Sequence, residues 1–179
     1  MNIQSRAGII VIATILFCAV FAYKTQAQAQ MNPSSPGAAQ KGAAMPSHAT
    51  GTFEVKLTPQ GEGETAEGST LGRMTIAKQF HGDLDGTSKG EMLTAGTDVK
   101  NSAGYVAIER ITGTLQGRAG SFVLQHDGTL TRGAPTQSIT VVQDSGAGQL
   151  AGITGKMIIT IAEGKHSYDF EYTLPESPK

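Results

Sequence analysis

Glu109 and His126 are the residues whose chemistry and spacing first suggest a site. They flank a predicted hairpin, and a two-residue turn at Gly117-Arg118 would set them directly opposite each other on neighbouring strands. Directly opposed side chains share one face of a sheet and approach to about 5 Å. The same face carries large apolar residues, namely Ile111, Leu115, Phe122 and Leu124. We therefore expect a carboxylate and an imidazole held together in an apolar surround.

Two interpretations of the Glu109–His126 pair stay open from the sequence. In the first, the pair is structural, and the imidazole only offsets the charge of a buried acid. In the second, it handles a proton or a ligand, because burial raises the pKa of a carboxyl while a neighbouring imidazolium lowers it. Such a pair can serve as general acid and base, or receive an amine or hydroxyl.

Three further candidates, His166, Tyr168 and Tyr172, alternate along the last predicted strand and share its inward face. Tyrosines combine an apolar body with a phenolic donor, which small-ligand pockets commonly use. The alternative is that both tyrosines fill the core, with each hydroxyl at a rim.

Signatures of metal, nucleotide and nucleophilic sites are missing from the sequence. The four histidines have no metal-ligand spacing, and the single cysteine, Cys18, falls in the leader. The segment 82–86 supplies two aspartates but lacks the distal glutamate of a calcium loop. The Gly-x-Ser-x-Gly run at 86–90 lies within a predicted strand and does not open a helix, so it is not a nucleophile elbow, and no glycine-rich loop opens a helix either. We expect no metal site and no cofactor.

The elements that must position these residues are strands, because the apolar period from residue 48 onward is two rather than 3.6. Eight runs are predicted, at about 51–57, 69–81, 84–95, 103–115, 120–131, 136–144, 150–162 and 166–174. Eight antiparallel strands with short joints are enough to close a barrel that holds at most one small ligand. The sequence therefore predicts an all-β, eight-stranded antiparallel barrel, with a two-sheet sandwich as the alternative.

The N-terminal segment is predicted to be a secretory leader. Residues 1–29 combine a positive start, an uncharged run over 7–23 and a small-x-small ending. Residues 30–47 are rich in Pro, Ser, Gly and Ala, which predicts a flexible linker before a barrel domain at 48–175. We expect an exported protein, periplasmic or secreted, with an uncleaved membrane anchor as the alternative.

Composition limits the partners. The net charge is −1, so the chain lacks the basic field that nucleic acid requires. We expect no nucleic acid partner and no membrane contact beyond the leader. Oligomeric state is not predicted.

Several residue groups occur together in a known family. They are 78–86 (KQFHGDLDG), 105–110 (YVAIER), 113–128 (GTLQGRAGSFVLQHDG) and 141–152 (VVQDSGAGQLAG). With them the chain resembles the bacterial domain-of-unknown-function family 3224 over about 48–174. That family is similar in fold to allene oxide cyclase, so the resemblance implies an eight-stranded barrel and no particular reaction. The chain departs from the family in having no Trp.

The sequence thus predicts an exported, non-enzymatic barrel that binds a small, mostly apolar ligand or a protein partner. One alternative is an isomerase or cyclase with Glu109 and His126 as acid and base. Another is a structural envelope module with a filled core. The candidate ligand-binding residues are Glu109, His126, Tyr168, Tyr172 and His166.

Overall fold

The structure, a computed structural model, describes residues 45–175 of the chain. Its strands are β1 (Ser47–Pro59), β2 (Glu64–Ala66), β3 (Ser69–Gly82), β4 (Leu84–Thr97), β5 (Ala103–Leu115), β6 (Arg118–Thr131), β7 (Ala134–Val141), β8 (Ala147–Gly148), β9 (Thr154–Ala162) and β10 (Lys165–Thr173). The predicted signal peptide and residues 30–44 of the predicted linker lie outside the described residues. Strand β1 begins one residue before the predicted domain start.

Strand β1 closes the sheet into a barrel, because it pairs with β3 on one side and with β10 on the other. The ring runs β1, β3, β4, β5, β6, β7, β9, β10, and each neighbouring pair is antiparallel. The short strands β2 and β8 add to β3 and β6 outside this ring. The predicted eight-stranded barrel is confirmed, and the sandwich alternative is wrong. Closure satisfies strand edges that would otherwise remain unpaired.

Strands β7 and β9 have different boundaries from the predicted runs 136–144 and 150–162. Strand β7 stops at Val141 and β9 starts only at Thr154. The segment 142–153 instead contains only the two-residue strand β8 and turns, and it buries Leu150 and Ile153. These residues are three apart and joined by a turn, with the Ile153 amide donating to the Leu150 carbonyl at 3.1 Å. Their spacing of three cannot place both on one face of a strand, whose period is two.

The β5–β6 hairpin turns at Gln116-Gly117, one residue earlier than predicted. Both turn residues have positive φ, at 46° and 83°, as a two-residue hairpin turn of matching twist requires. The predicted direct pairing of Glu109 with His126 is therefore wrong: Glu109 pairs with Leu124, and His126 pairs with Ala107. The register shifts by two, so both side chains keep the inward face and become diagonal neighbours.

One end of the barrel, called here the closed end, is filled with side chains. It lies next to the β3–β4 and β5–β6 turns and the loop 142–153. The rings of Phe122 and Phe170 stack there with centroids 5.5 Å apart, and Phe170 stacks on Tyr172 at 5.3 Å. Both phenylalanines are fully buried. Offset aromatic packing of this kind makes the closed end a solid core.

The opposite end, called here the open end, lies next to the β4–β5, β6–β7 and β9–β10 turns. Leu57 and Ile161 occupy inward positions there by strand alternation, yet they are 47% and 65% exposed. An inward residue can be this exposed only if solvent reaches the lumen. Within residues 45–175 no helix is long and apolar enough to cross a membrane.

Candidate functional site

A cavity of about 800 Å³ occupies the open half of the barrel. Its apolar lining includes Val55, Leu57, Met74, Ile76, Met92 and Ile159. Lys78 and His126 are the innermost lining residues on β3 and β6. Pockets for small molecules commonly measure about 300–1,000 Å³ and have mainly apolar walls with few polar groups. The open half therefore has the size and lining of a small-ligand site.

A polar row of Lys78, Ser88, Glu109 and His126 crosses the floor of this cavity. The residues lie on β3, β4, β5 and β6, one on each of four adjacent strands. Each occupies an inward position, and all four are buried. Lys78 pairs directly with Ser88, and Glu109 lies two residues after the partner of His126. The barrel therefore brings together residues spread over almost fifty positions of the sequence.

Glu109 is the centre of the polar row. Its Oε2 atom lies 2.7 Å from Lys78 Nζ and 3.1 Å from His126 Nε2. The Ser88 hydroxyl donates a hydrogen bond to the other carboxylate oxygen, Oε1. Glu109 is completely buried. Its charge is thus met on both oxygens by donors, as a buried charge requires.

Gly90 makes room for this arrangement on the strand between Lys78 and Glu109. It is the direct cross-strand partner of Glu109. A Cβ atom at position 90 would lie 2.8 Å from Glu109 Cα, closer than van der Waals contact allows. Because Gly90 carries no side chain, Lys78 reaches Glu109 across the whole width of β4.

The pKa of Glu109 shows which contacts dominate. Burial by itself raises the pKa of this carboxyl, but the contacts with His126, Lys78 and Ser88 outweigh it and lower the pKa from 4.5 to about 2. The carboxylate is therefore ionised at neutral pH and is a weak proton acceptor. This geometry is that of a buried ion-pair network more than that of a general base.

His126 is the member of the row whose hydrogen bonding is incomplete. The residue is 4% exposed, and its Nε2 atom has no aligned hydrogen-bond partner among residues 45–175. The 3.1 Å distance to Glu109 Oε2 allows electrostatic attraction without an aligned hydrogen bond. The ring also borders the cavity. A buried ring nitrogen without an aligned partner is a group that a bound molecule can satisfy.

The structure divides the five predicted site residues into two groups. Glu109 and His126 are in contact, and His166 lines the same cavity with its ring 5.1 Å from that of Phe53. Tyr168 and Tyr172 do not line the cavity. They lie in the core at the closed end.

The hydroxyls of both tyrosines are occupied within the protein. Tyr168 accepts a hydrogen bond from the Leu84 amide at 2.9 Å, and burial raises the pKa of its hydroxyl. Tyr172 donates to the Gln116 side chain at 2.7 Å, which ties β10 to the β5–β6 turn. The alternative of core filling fits both residues better than a pocket role does.

Sequence reasoning missed Lys78, Ser88 and Tyr105. Lys78 stands between the apolar residues Ile76 and Phe80 in an alternating run. This alternation already indicates that Lys78 lies on the inward face of its strand. A lysine there is more often assumed to be solvated, since lysine is rarely buried unless paired. Tyr105 also lines the cavity, and burial, then Asp127 and Glu109, raise the pKa of its hydroxyl.

A groove of about 670 Å³ lies against β4, β5 and β6, bordered by Leu93, Val106 and Ile108. These three residues are more than half exposed. The groove's charged groups Lys89, Glu91 and Arg110 sit at exposed positions, and His126 of the polar row also borders the groove. In the part of the chain that the structure describes, no group of three His, Cys, Asp or Glu residues is placed to hold a metal ion.

The fold and the polar row can now be compared with known proteins. Residues 49–172 match the family model described as "Protein of unknown function (DUF3224)". The chain belongs to the DUF3224 family. A solved structure of a DUF3224 protein with unknown function from Shewanella oneidensis MR-1 is 48% identical to it. The match covers 75% of this chain and 100% of that one, with a TM-score of 0.69. No curated protein matches the chain.

The predicted resemblance to this family is confirmed. The polar row and most of the cavity wall fall within the matched range, so the site belongs to the DUF3224 domain itself. The DUF3224 description gives no reaction, so an argument about function has to come from the geometry of the site.

Proposed function

We propose that this DUF3224 protein is an exported, non-enzymatic barrel that binds one small, mostly apolar ligand in the open half of its lumen. The observation that carries the proposal is the division of the barrel into a packed closed end and a cavity of about 800 Å³ at the open end. A barrel needed only as a structural module gains stability from filling its lumen, because unfilled core volume forfeits packing energy.

The lining supports an apolar ligand. Apolar side chains from β1, β3, β4 and β9 face the cavity, and the ionisable groups Lys78 and His126 lie at its floor. An apolar molecule entering this space removes its own surface and that of the wall from water, which contributes about 25 cal/mol per Å² buried. Leu57 and Ile161 extend this apolar surface to the mouth.

Catalysis by Glu109 as general base fits the site less well. Glu109 is completely buried and is not among the cavity-lining residues. Its pKa of about 2 leaves it a weak base at neutral pH. A substrate in the cavity would reach Lys78 and His126 before the carboxylate.

The first test of the proposal is isolation of the protein from its native host, followed by mass spectrometry of co-purifying small molecules. We expect one class of apolar compound at close to one molecule per chain. A neutral apolar fluorophore such as Nile red should also bind saturably and be displaced by the extracted compound.

A variant that blocks the mouth of the cavity, together with a matched control, tests whether the ligand binds in the lumen. Ala103 faces the cavity near the open end and is exposed, so Ala103→Trp should obstruct the lumen without overpacking the core. Thr112→Trp places the same ring on the outer face of the same strand. We expect Ala103→Trp to abolish fluorophore binding and Thr112→Trp to leave it unchanged, with similar melting temperatures. Equal binding by both variants, or none by the parent protein, would contradict a lumenal site.

Export is supported by the sequence of the leader alone. We expect the native protein to begin at or near Gln30, as N-terminal sequencing would measure. Met1 retained in a cytosolic fraction would refute export, and Met1 retained in the membrane fraction would support an uncleaved anchor.

A further inference from the structure

Three of the four ionisable groups that line the cavity are bases. They are Lys78, His126 and His166, and the fourth is the phenol of Tyr105. Glu109 lies behind them and is completely buried, and no carboxylate is among the cavity-lining residues. A molecule in the lumen therefore meets bases and a phenol but no acidic side chain that is ionised at neutral pH. This arrangement favours a negatively charged headgroup over a positive one.

Lys78 retains hydrogen-bonding capacity after its contact with Glu109. An ammonium group has three donors, and one of them is directed to Glu109 Oε2 at 2.7 Å. The rings of Phe53 and Phe80 lie 4.8 and 5.7 Å from Nζ, so aromatic faces cover part of the ammonium. These rings offer no acceptor oxygen. A ligand oxygen at the floor would supply one and form a charge-assisted hydrogen bond.

His126 completes the electrostatic argument. Lys78 and Glu109 neutralise each other, so protonation of His126 adds one uncompensated positive charge beneath an apolar cavity. The ionisable groups around His126 are Glu109, whose Oε2 lies 3.1 Å from its Nε2, and Lys78, Tyr105 and His166, which line the same cavity. An anionic headgroup would offset that added charge, whereas a neutral or cationic headgroup would not.

We infer that the ligand is an amphipathic anion, whose carboxylate-type headgroup binds at Lys78 and His126 and whose apolar chain runs through the lumen toward the mouth. This inference rests on the proposed small-ligand function. The headgroup lies deep and the chain lies at the entrance, because the cations are at the floor and Leu57 and Ile161 are at the mouth.

Three probes with the same chain and different headgroups test the inference: dodecanoate and dodecyltrimethylammonium below their critical micelle concentrations, and dodecanol below its solubility limit. Isothermal titration calorimetry on the native protein should show dodecanoate binding at least about tenfold more tightly than dodecanol, since a hydrogen bond to a charged group is worth that factor. The cation should bind most weakly.

Two histidine variants identify the group that binds the headgroup beside Lys78. His126→Gln keeps an amide donor near Glu109 but cannot carry a positive charge, so the preference for dodecanoate over dodecanol should fall. His166→Gln removes the other cavity histidine and should keep most of that preference. If His126→Gln does not fold, the headgroup series on the parent protein still decides the question.

The outcomes separate this inference from the function on which it rests. Dodecanol or the ammonium probe binding as tightly as dodecanoate would overturn the anionic headgroup and leave a small-ligand barrel standing. A preference for dodecanoate that is lost in His166→Gln and kept in His126→Gln would also overturn it. Failure of all three probes and of Nile red to bind would refute the proposed function as well.

Discussion

Lys78 Nζ lies 2.7 Å from Glu109 Oε2, and these side chains are only 6% and 0% exposed. The two residues are 31 positions apart in the chain and lie on strands that are not neighbours in the barrel. Removing two charges from water is costly, and their attraction repays that cost only when the remaining hydrogen bonds are satisfied. Ser88 and His126 complete the surround of the carboxylate and thereby offset its desolvation.

Removal of Lys78 alone should destabilise the protein more than removal of both charges. Lys78→Met strands the carboxylate of Glu109, and breaking a buried pair in this way costs roughly 3–5 kcal/mol. The double variant Lys78→Met/Glu109→Met removes both buried charges, so neither is left without a partner. It should recover most of the free energy of unfolding that Lys78→Met loses. Urea unfolding of the parent, the two single variants and the double variant measures the coupling. Additive effects within about 0.5 kcal/mol would show that the two groups act independently.

Stability should fall with acid in a window set by Glu109. The folded-state pKa of about 2 lies below the ordinary value of 4.5, so the stabilisation is fully present above pH 4.5 and is lost as pH falls toward 2. The contribution of Glu109 is roughly 3 kcal/mol at neutral pH. Urea midpoints between pH 2 and 6 should decline steeply in the parent protein and less in Glu109→Gln. Equal slopes in the two proteins would contradict a depressed pKa.

The β5–β6 turn should discriminate between substitutions at Gly117. This residue has a φ of 83°, and a Cβ atom there would meet nothing within 4 Å. The cost of a side chain is therefore conformational strain and not a clash. Gly117→Val should lose roughly 1–3 kcal/mol, because β-branched residues strongly disfavour positive φ. Gly117→Asn is the control and should lose less, since Asn tolerates that region. A thermal melt in which both variants match would place the turn elsewhere.

Gly128 should be required for the position of Tyr105 in the cavity wall. A Cβ atom at position 128 would lie 2.5 Å from Tyr105 Cε1, so Gly128→Ala must displace the ring. We expect a loss of about 1–3 kcal/mol from overpacking and a changed affinity for lumenal probes.

Gly104→Ala is the matched control for Gly128→Ala. It lies beside Tyr105 on β5, and a Cβ atom there would approach nothing closer than 3.8 Å. It should leave both stability and probe binding nearly unchanged. Chemical denaturation and fluorophore titration of the two variants provide the readout. If Gly128→Ala leaves both stability and probe binding unchanged, the Tyr105 ring does not pack against this glycine.

The faces of the strands followed from the sequence, because alternation of apolar and polar residues has a period of two and does not depend on the register. Glu109 and His126 were assigned to the inward face on this basis, and both are buried there. The turn was misplaced by one residue, which moved the register by two and changed the direct partner of each residue. An even shift preserves the face, so the contact survived as a diagonal one.

The polar row as a whole was decided by the tertiary structure. Lys78 meets Glu109 only because β3, β4 and β5 are adjacent in the ring and because Gly90 leaves the intervening strand bare. No local sequence pattern predicts such a contact, because a lysine is buried only with a partner, and here the partner lies far along the sequence. The cavity likewise depends on how far inward side chains reach from eight strands at once: aromatic rings fill the closed end, whereas the side chains at the open end leave a lumen.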